Sequence, residues 1–448
     1  MYKRYHILIL LLAFLLLTGS LNGQEKITFP LIDKATYNHY ISGNWDSILH
    51  YGKLAKRYDI SYYYLDLRMG LARYNKKQYF QASRLFREAV KKNGIEDLPK
   101  EYLYYTYLFT GQYPRADILS RKFSPNLSER IPGFRPKFFT MINPETVLSY
   151  TDGKKLENQL MEESVDGHRH ITSRFAFFQI ALSHQPAACL TIHQGISFLH
   201  KKNILYFLSG ASEVFLPDMR LNQMDYFIIP EFSFRSGTSI SPSFHYTGIN
   251  SEVLETINSG SGRNASVTLR TEFERFLLGG IEITQKMWLF DLTLAGSYLA
   301  RDEGPDYQQK IGGVFYPLGN LNLYLGADYY FTDLFQSKVL FENNIWHTII
   351  GVSIKERVWI EARYTEGNMK NFRENNNTIF YNSTDFMNRK AQLHLSVFRK
   401  DNKGNFYIGG RWANNVAPYV QGVDGVTDMN NTFEFNSYTI YGGISWKI

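Results

Sequence analysis

The 448-residue chain is 44% hydrophobic, 16% aromatic and 20% charged, a composition that excludes global disorder and leaves room for two or three domains. Its single cysteine, Cys189, excludes an internal disulfide framework and a multi-cysteine metal cage. A mean hydropathy of −0.30 excludes a polytopic helical membrane protein but not a membrane β-barrel, and the net charge of +7 raises the question of anionic partners.

The chain opens with Lys3 and Arg4, an apolar stretch from Ile7 to Leu17, and then small or polar residues. This pattern predicts a signal peptide over residues 1–23, cleaved after Ser20 or Gly23. The apolar stretch is too short to span a bilayer comfortably, and no cysteine nearby can carry a lipid anchor. Export to the cell envelope is expected.

Residues 24–123 form the next region, and a 34-residue period runs through 34–123. Gly43-Asn44-Trp45, Lys77-Gln78-Tyr79 and Gly111-Gln112-Tyr113 are in register, as are Ile48, Ala82 and Ala116, and Ala55, Ala89 and Phe123. In the middle copy, Gly70, Tyr79, Ala82, Phe86 and Ala89 match the tetratricopeptide (TPR) pattern in type and spacing. Small residues at 70, 82 and 89 let paired helices approach, and Phe86 fills the space between hairpins. The outer copies depart from the pattern, with Thr36 and Tyr104 at the Gly70 position, as terminal repeats do. The resemblance to TPR domains implies a concave recognition surface on the first helices, at Tyr37, Tyr40, Tyr64, Leu67, Tyr74, Asn75, Glu101 and Tyr105. Such a surface suits an extended peptide or a sugar polymer; the alternative is that the tyrosines pack between hairpins.

Residues 124–170 follow neither period. Pro125, Pro132, Gly133, Pro136 and Pro144 punctuate them, which predicts a linker or a segment that plugs a lumen.

From residue 171 the period falls to two. Leu321, Leu323, Leu325, Ala327, Tyr329 and Phe331 share one face, opposite Asn322, Tyr324, Gly326, Asp328 and Tyr330. The same alternation recurs at 358–364 and 391–397, and it predicts an antiparallel transmembrane barrel with lipid outside and a polar interior. Fourteen strands are expected, within a range of twelve to sixteen, near 172–184, 187–200, 203–215, 222–235, 237–249, 270–285, 287–300, 307–317, 320–331, 343–354, 357–366, 388–399, 404–414 and 435–448. Short connections such as Ser236, Lys286 and Lys355-Glu356 alternate with long ones at 250–269, 367–387 and 415–434. That sidedness places the helical region and the C-terminus in the periplasm. The tight turn at His184-Gln185-Pro186 stands against this order.

Signal peptide, short TPR array and C-terminal barrel together resemble TPR-plus-barrel outer-membrane proteins of the YaiO type. The order is also similar to that of exopolysaccharide-export porins, although those carry many more repeats. The resemblance implies an outer-membrane transport or export component with a periplasmic docking domain for a protein or polymer. A non-conducting scaffold in an outer-membrane complex is the second reading, and an enzymatic barrel ranks third.

No P-loop, G-x-S-x-G or H-E-x-x-H motif is present, so no catalytic residue is expected. His168 and His170 share a face if extended, but two imidazoles lack the third ligand that zinc requires; neither metal nor cofactor is expected. Cys189 reads as a small barrel-wall residue. Asp291, Asp328, Glu361, Arg363 and His394 are expected to face the lumen. The basic excess lies in residues 24–130, with 18 Lys and Arg against 11 Asp and Glu; residues 131–448 hold 29 against 31. Nucleic acid is therefore not the expected partner. Outer-membrane lipid is expected around the barrel, and an acidic partner or polymer at the helical region.

Overall fold

The computed structural model describes residues 27–151, 167–209, 212–258, 266–301, 304–336, 339–355, 357–401, 403–421 and 427–448. The expected signal peptide lies outside these residues. Among the described residues seven helices come first: α1 (Phe29–Ile41), α2 (Trp45–Arg57), α3 (Tyr63–Asn75), α4 (Tyr79–Lys92), α5 (Leu98–Phe109), α6 (Tyr113–Ser120) and α7 (Pro125–Arg130). The helices α2, α4 and α6 start 34 residues apart, as the repeat requires. Each preceding turn holds one residue in the left-handed region at the same repeat position: Gly43 (φ 68°), Lys77 (φ 56°) and Gly111 (φ 69°). Asn44 then caps α2 by accepting the Ser47 amide at 3.2 Å.

The chain divides into two units. The first comprises residues up to Lys77 and Ala82–Tyr102, and its core joins Ile32, Ala55 and Leu65 with a second cluster of Ile48, Leu49 and Ala72. Gly70 lies against the Phe86 ring so closely that a Cβ would collide with it, while Ala82, Phe86 and Ala89 are fully buried. Small residues therefore set the helix separation here.

The second unit comprises Gln78–Gln81 and everything from Leu103. Its body is a closed antiparallel barrel of fourteen strands. They are β1 (Lys137–Thr151), β2 (Gly167–Ala187), β3 (Leu190–Ser209), β4 (Ser212–Ser233), β5 (Thr238–Asn258), β6 (Ser266–Met287), β7 (Phe290–Ala300), β8 (Asp306–Phe315), β9 (Leu323–Gln336), β10 (Val339–Ile354) and β11 (Val358–Glu366), followed by β14 (Phe386–Phe398), β15 (Gly404–Gln421) and β16 (Thr427–Lys447). Between β11 and β14 a small hairpin of β12 (Phe372–Glu374) and β13 (Ile379–Tyr381) stands outside the wall sheet. The barrel closes where β1 pairs with β16, through Tyr150↔Tyr438 and Glu145↔Gly443.

Three sequence expectations need correction. The barrel begins at Lys137, so 124–170 is not one linker or plug, and Pro144 sits inside a wall strand. Lys201-Lys202-Asn203 is not a turn but the middle of the long strand β3, so 187–235 supplies two strands rather than three. The two errors cancel in the strand count. With the parity corrected, the tight connection at 188–189 falls on the short-turn end, where it belongs, and Cys189 lies exposed in that turn rather than in the wall.

The outer wall is apolar and solvent-facing, with Leu294, Ile311, Ile350, Leu393, Ile408 and Ile440 all exposed. Exposed Tyr298, Tyr307, Phe331, Trp346 and Tyr364 ring it toward the long-loop end, and Trp288, Phe290 and Phe406 toward the short-turn end. On β10 the outward run from Trp346 to Ile354 matches the roughly nine to eleven residues a strand needs to cross a hydrocarbon core.

At the short-turn end, segments of the same unit pack on the turns. Phe80 N–H donates to Gly319 O at 3.0 Å and its ring stacks on Tyr316 at 4.6 Å. From α6, Arg115 donates to Arg235 O at 3.0 Å, and Asp117 accepts from Gln185 at 2.7 Å. Burial raises the Asp117 carboxyl above the usual range, against the opposing pull of that hydrogen bond and of Lys137.

The repeat turns give a direct test. Nothing lies within 4 Å of a Cβ added at Gly43, so Gly43→Ala changes only the cost of a positive φ. We expect urea denaturation followed at 222 nm to show a loss of about 1 kcal/mol, with Gly43→Asn losing less.

Candidate functional site

The site is the barrel lumen, and its content is set by the segment between β11 and β14. That segment has the turn sequence Glu374-Asn375-Asn376-Asn377-Thr378. All three asparagines, with Asn371, adopt positive φ (50–67°), a region that asparagine tolerates better than other non-glycine residues. The turn doubles the chain back as the β12–β13 hairpin, registered Phe372↔Tyr381.

The hairpin does not project outward. Going along it, Asn371 donates to Asp306 at 2.9 Å, and the Arg373 backbone exchanges hydrogen bonds with the Gln308 side chain at 2.6 and 3.0 Å. At its tip, Asn376 donates to Ser241 O at 3.0 Å and Asn377 to Ser243 Oγ at 2.8 Å. On the return, Asn382 reaches Gln223 at 3.3 Å, Ser383 meets Lys201 at 2.6 Å, and Asp385 accepts from both the amide and the hydroxyl of Thr172 at 2.8 Å. The segment thus sweeps the inner wall from β8 through β5 to β2. Buried polar groups without partners are costly, and wall and hairpin satisfy most of one another's, although the terminal nitrogens of Arg373 are buried without a hydrogen bond.

Its inner side is fixed by a buried ion pair. Lys390 Nζ, from β14, lies 2.5 Å from Glu374 Oε2, with both side chains almost fully excluded from solvent. Tyr381 donates to the same carboxylate at 2.8 Å, and Lys390 also sits 4.8 Å from the centre of the Tyr381 ring.

The five residues expected in the lumen all fall on the inward register of their strands, in different surroundings. Asp291 accepts from Lys286 at 2.6 Å and Tyr316 at 3.0 Å near the short-turn end. Asp328 lies against Gly312 on the neighbouring strand. Glu361 takes the Arg363 guanidinium and the Tyr324 hydroxyl. His394 lies against Ser396 at 2.8 Å. Of the five, Arg363 and His394 line the main cavity, a space of about 550 Å³ between the hairpin and the wall formed by β11, β14–β16 and β1–β5. Toward the long-loop end this space meets an apolar cluster of Ile171, Tyr206, Tyr419 and Phe435. There β15 also pairs directly with β2, Val420↔His168.

The residues expected on a concave helical surface divide. Tyr37 and Tyr64 are about half exposed and flank the Arg68 guanidinium at 5.3 and 5.5 Å from their ring centres, while Arg68 pairs with Asp33 at 2.7 Å. Asn75 is exposed. Leu67 is buried and is no surface candidate. Tyr40 packs against the Ile48 cluster, and Tyr74 meets the Tyr102 ring edge-on at 4.9 Å. Glu101 is half-buried, and so is Tyr105, which packs on Tyr104 and Phe109. Next to Tyr64, burial together with Glu96 and the Tyr64 phenol pushes the Tyr63 phenol up to about 12. His168 and His170 pack edge to face at 5.4 Å. Among the described residues no group of three or more His, Cys, Asp and Glu could hold a metal, and no helix is long and apolar enough to cross a membrane.

Alternation along the strands does not predict the ion pair or the tip contacts; the Asn run and the aromatics Phe372, Phe380 and Tyr381 within the long connection are their signal in the sequence.

No protein-family model and no curated protein matches the chain. Among solved structures, the Pseudomonas putida toluene transporter TodX is similar at 8% identity, with a TM-score of 0.43, over 77% of this chain and 94% of that one. The Acinetobacter baumannii outer membrane protein Omp33 is similar at 9% identity and TM-score 0.32, over 70% and 100%. A bacterial polysaccharide outer membrane secretin is similar at 6% identity and TM-score 0.34, over 69% and 99%. Likeness at this level carries no inference about substrate.

Removing one member of the buried pair leaves the other uncompensated. Lys390→Met is expected to weaken hairpin closure by about 3–5 kcal/mol, read as faster amide exchange at Phe372–Tyr381. Pairing it with Glu374→Gln should restore most of the protection.

Proposed function

We propose that the protein is an outer-membrane transport component whose passage is controlled by the lumenal hairpin, with the helical repeats acting as a periplasmic docking module of TPR type. The observation that carries this reading is the combination of a lipid-compatible outer wall with a polar lumen occupied by a separate hairpin. A polar interior is common to closed membrane barrels; the separate hairpin lying within it is the feature a transport path would use. The hairpin is joined to β11 and β14, which pair directly with each other, so it can leave the lumen without opening the wall. The short turns face the periplasm in this reading, by the usual sidedness of outer-membrane barrels.

The helical repeats supply the docking surface. Tyr37, Arg68 and Tyr64 form a fixed aromatic–cation patch, and the basic excess of residues 24–130 suits an acidic protein segment or an anionic polymer. The second reading, a closed scaffold, is favoured by the buried Lys390–Glu374 pair, which holds the hairpin in place.

Planar-bilayer recording separates the two. Intact protein is expected to show small or rare openings, and deletion of residues 370–383 to give large, stable steps. Silence from both proteins would sink the transport reading and leave the scaffold. For docking, Tyr37→Ala with Tyr64→Ala is expected to abolish in-cell crosslinks made from the helical surface while leaving barrel insertion intact.

A further inference from the structure

Resting on the transport reading, the geometry points to a specific ligand class: we propose that the main lumenal cavity is a binding site for a short saccharide. The argument begins at two glycines. On β15 and β16, Tyr407 stands directly opposite Gly443, and Tyr441 directly opposite Gly409. A Cβ on either glycine would collide with the far end of the tyrosine facing it. Each ring therefore lies across the neighbouring strand, along the wall, instead of projecting into the lumen. His394, from β14, lies between them, nearly parallel to both: 5.3 Å and 30° from Tyr407, 5.9 Å and 25° from Tyr441. The result is an aromatic strip spread over three strands and bordering the cavity.

Hydrogen-bonding groups edge this strip. The Tyr407 hydroxyl lies 2.8 Å from Glu145 Oε2 and 2.9 Å from Asn143 Oδ1. The hydrogen bonds of Arg411 among the described residues are long, 3.5 Å to the Tyr381 hydroxyl and 3.4 Å to Thr439 Oγ1, and its charge acts on Glu145 across the cavity wall. Its remaining donor capacity is open to an occupant.

A hydrocarbon in this cavity would leave the spare donors of Arg411 and the spare acceptor capacity of Glu145 unused. A small inorganic ion would make no use of the strip. A sugar presents a C–H face to rings and hydroxyls to carboxylate, amide and guanidinium groups, which matches both parts of the lining. The volume, about 550 Å³, falls within the ordinary range for small-ligand pockets. Because Tyr381 belongs to the hairpin and contacts Arg411, the occupant would touch wall and hairpin together, and its entry would bear on hairpin position.

The test is calorimetric titration of the full-length protein in detergent with two probes, neutral maltotriose and acidic trigalacturonate. Benzoate serves as the control for an aromatic anion that is not a sugar. At least one trisaccharide is expected to bind. Tyr441→Leu is expected to weaken it about tenfold or more, while the outward-facing Tyr329→Leu leaves it unchanged. If the acidic sugar is the ligand, Arg411→Gln weakens it selectively. Retention of binding in Tyr407→Phe, which keeps the ring, separates the strip from simple loss of packing. Binding of benzoate alone, of neither sugar, or equal binding in Tyr441→Leu overturns the proposal. Since no membrane is involved, a barrel that binds sugar yet never conducts removes the transport reading and leaves the site. A barrel that conducts without binding does the reverse.

Discussion

Closure of the sheet is the constraint to which the rest of the molecule answers. Once β1 pairs with β16, every wall strand has two neighbours and no edge remains to attract another chain. The alternation of side chains is then forced, because a strand shifted by one residue would turn its apolar face inward. Leu292, Leu294 and Tyr298 on β7 face outward while Asp291 and Ser297 face inward, and the same division holds around the ring. The lumen inherits a polar surface that needs partners, and the hairpin answers that need. Its contacts are almost all to inward side chains of strands far from its own in sequence.

A second consequence of closure is the use of glycine. Among the described residues inward aromatics stand opposite glycine at Phe227 and Gly195, Tyr324 and Gly351, Tyr407 and Gly443, and Tyr441 and Gly409. Glycine in a strand is normally a weakness, but here its missing side chain gives a large ring room to lie along the wall. Bulk is kept out of the lumen centre, and the bare backbone is covered. The cavity exists beside the hairpin partly because these rings do not point into it.

How much of this was legible in the sequence depended on whether the signal was local. The period of two at 320–331 identified β9 because one face meets an apolar surround and the other does not. The 34-residue register located the helix pairs because each turn needs the same left-handed residue, Gly43 or Gly111, with Lys77 taking that conformation in the middle copy. The first strand is hidden in the sequence because Pro144 reads as a break, although at its position it interrupts only one stretch of pairing with β16. The false turn at Lys201-Lys202-Asn203 has a similar cause: three polar residues mimic a turn, but Lys201 is buried in the lumen against Ser383 and Asp385. Inward positions could be assigned from alternation alone. Which inward residues meet could not, since Glu374 and Lys390, or Thr172 and Asp385, are joined only by the path of the hairpin. On the helices, Leu67 illustrates the same limit, as repeat register gives a face but not the depth at which a neighbour buries it.

The pairing of the first wall strand with the last has a bearing on biogenesis. Ser149 and Tyr438 stand in contact although they are 289 residues apart in the chain. Until the C-terminal strand emerges, β1 keeps a row of unpaired amides and carbonyls beside outward side chains such as Leu148 and Tyr150. Contacts of such sequence separation form late and slowly. The chain therefore has to be kept from aggregating until β16 docks on β1, and that late pairing, not the formation of the first hairpin, decides when the wall becomes a wall.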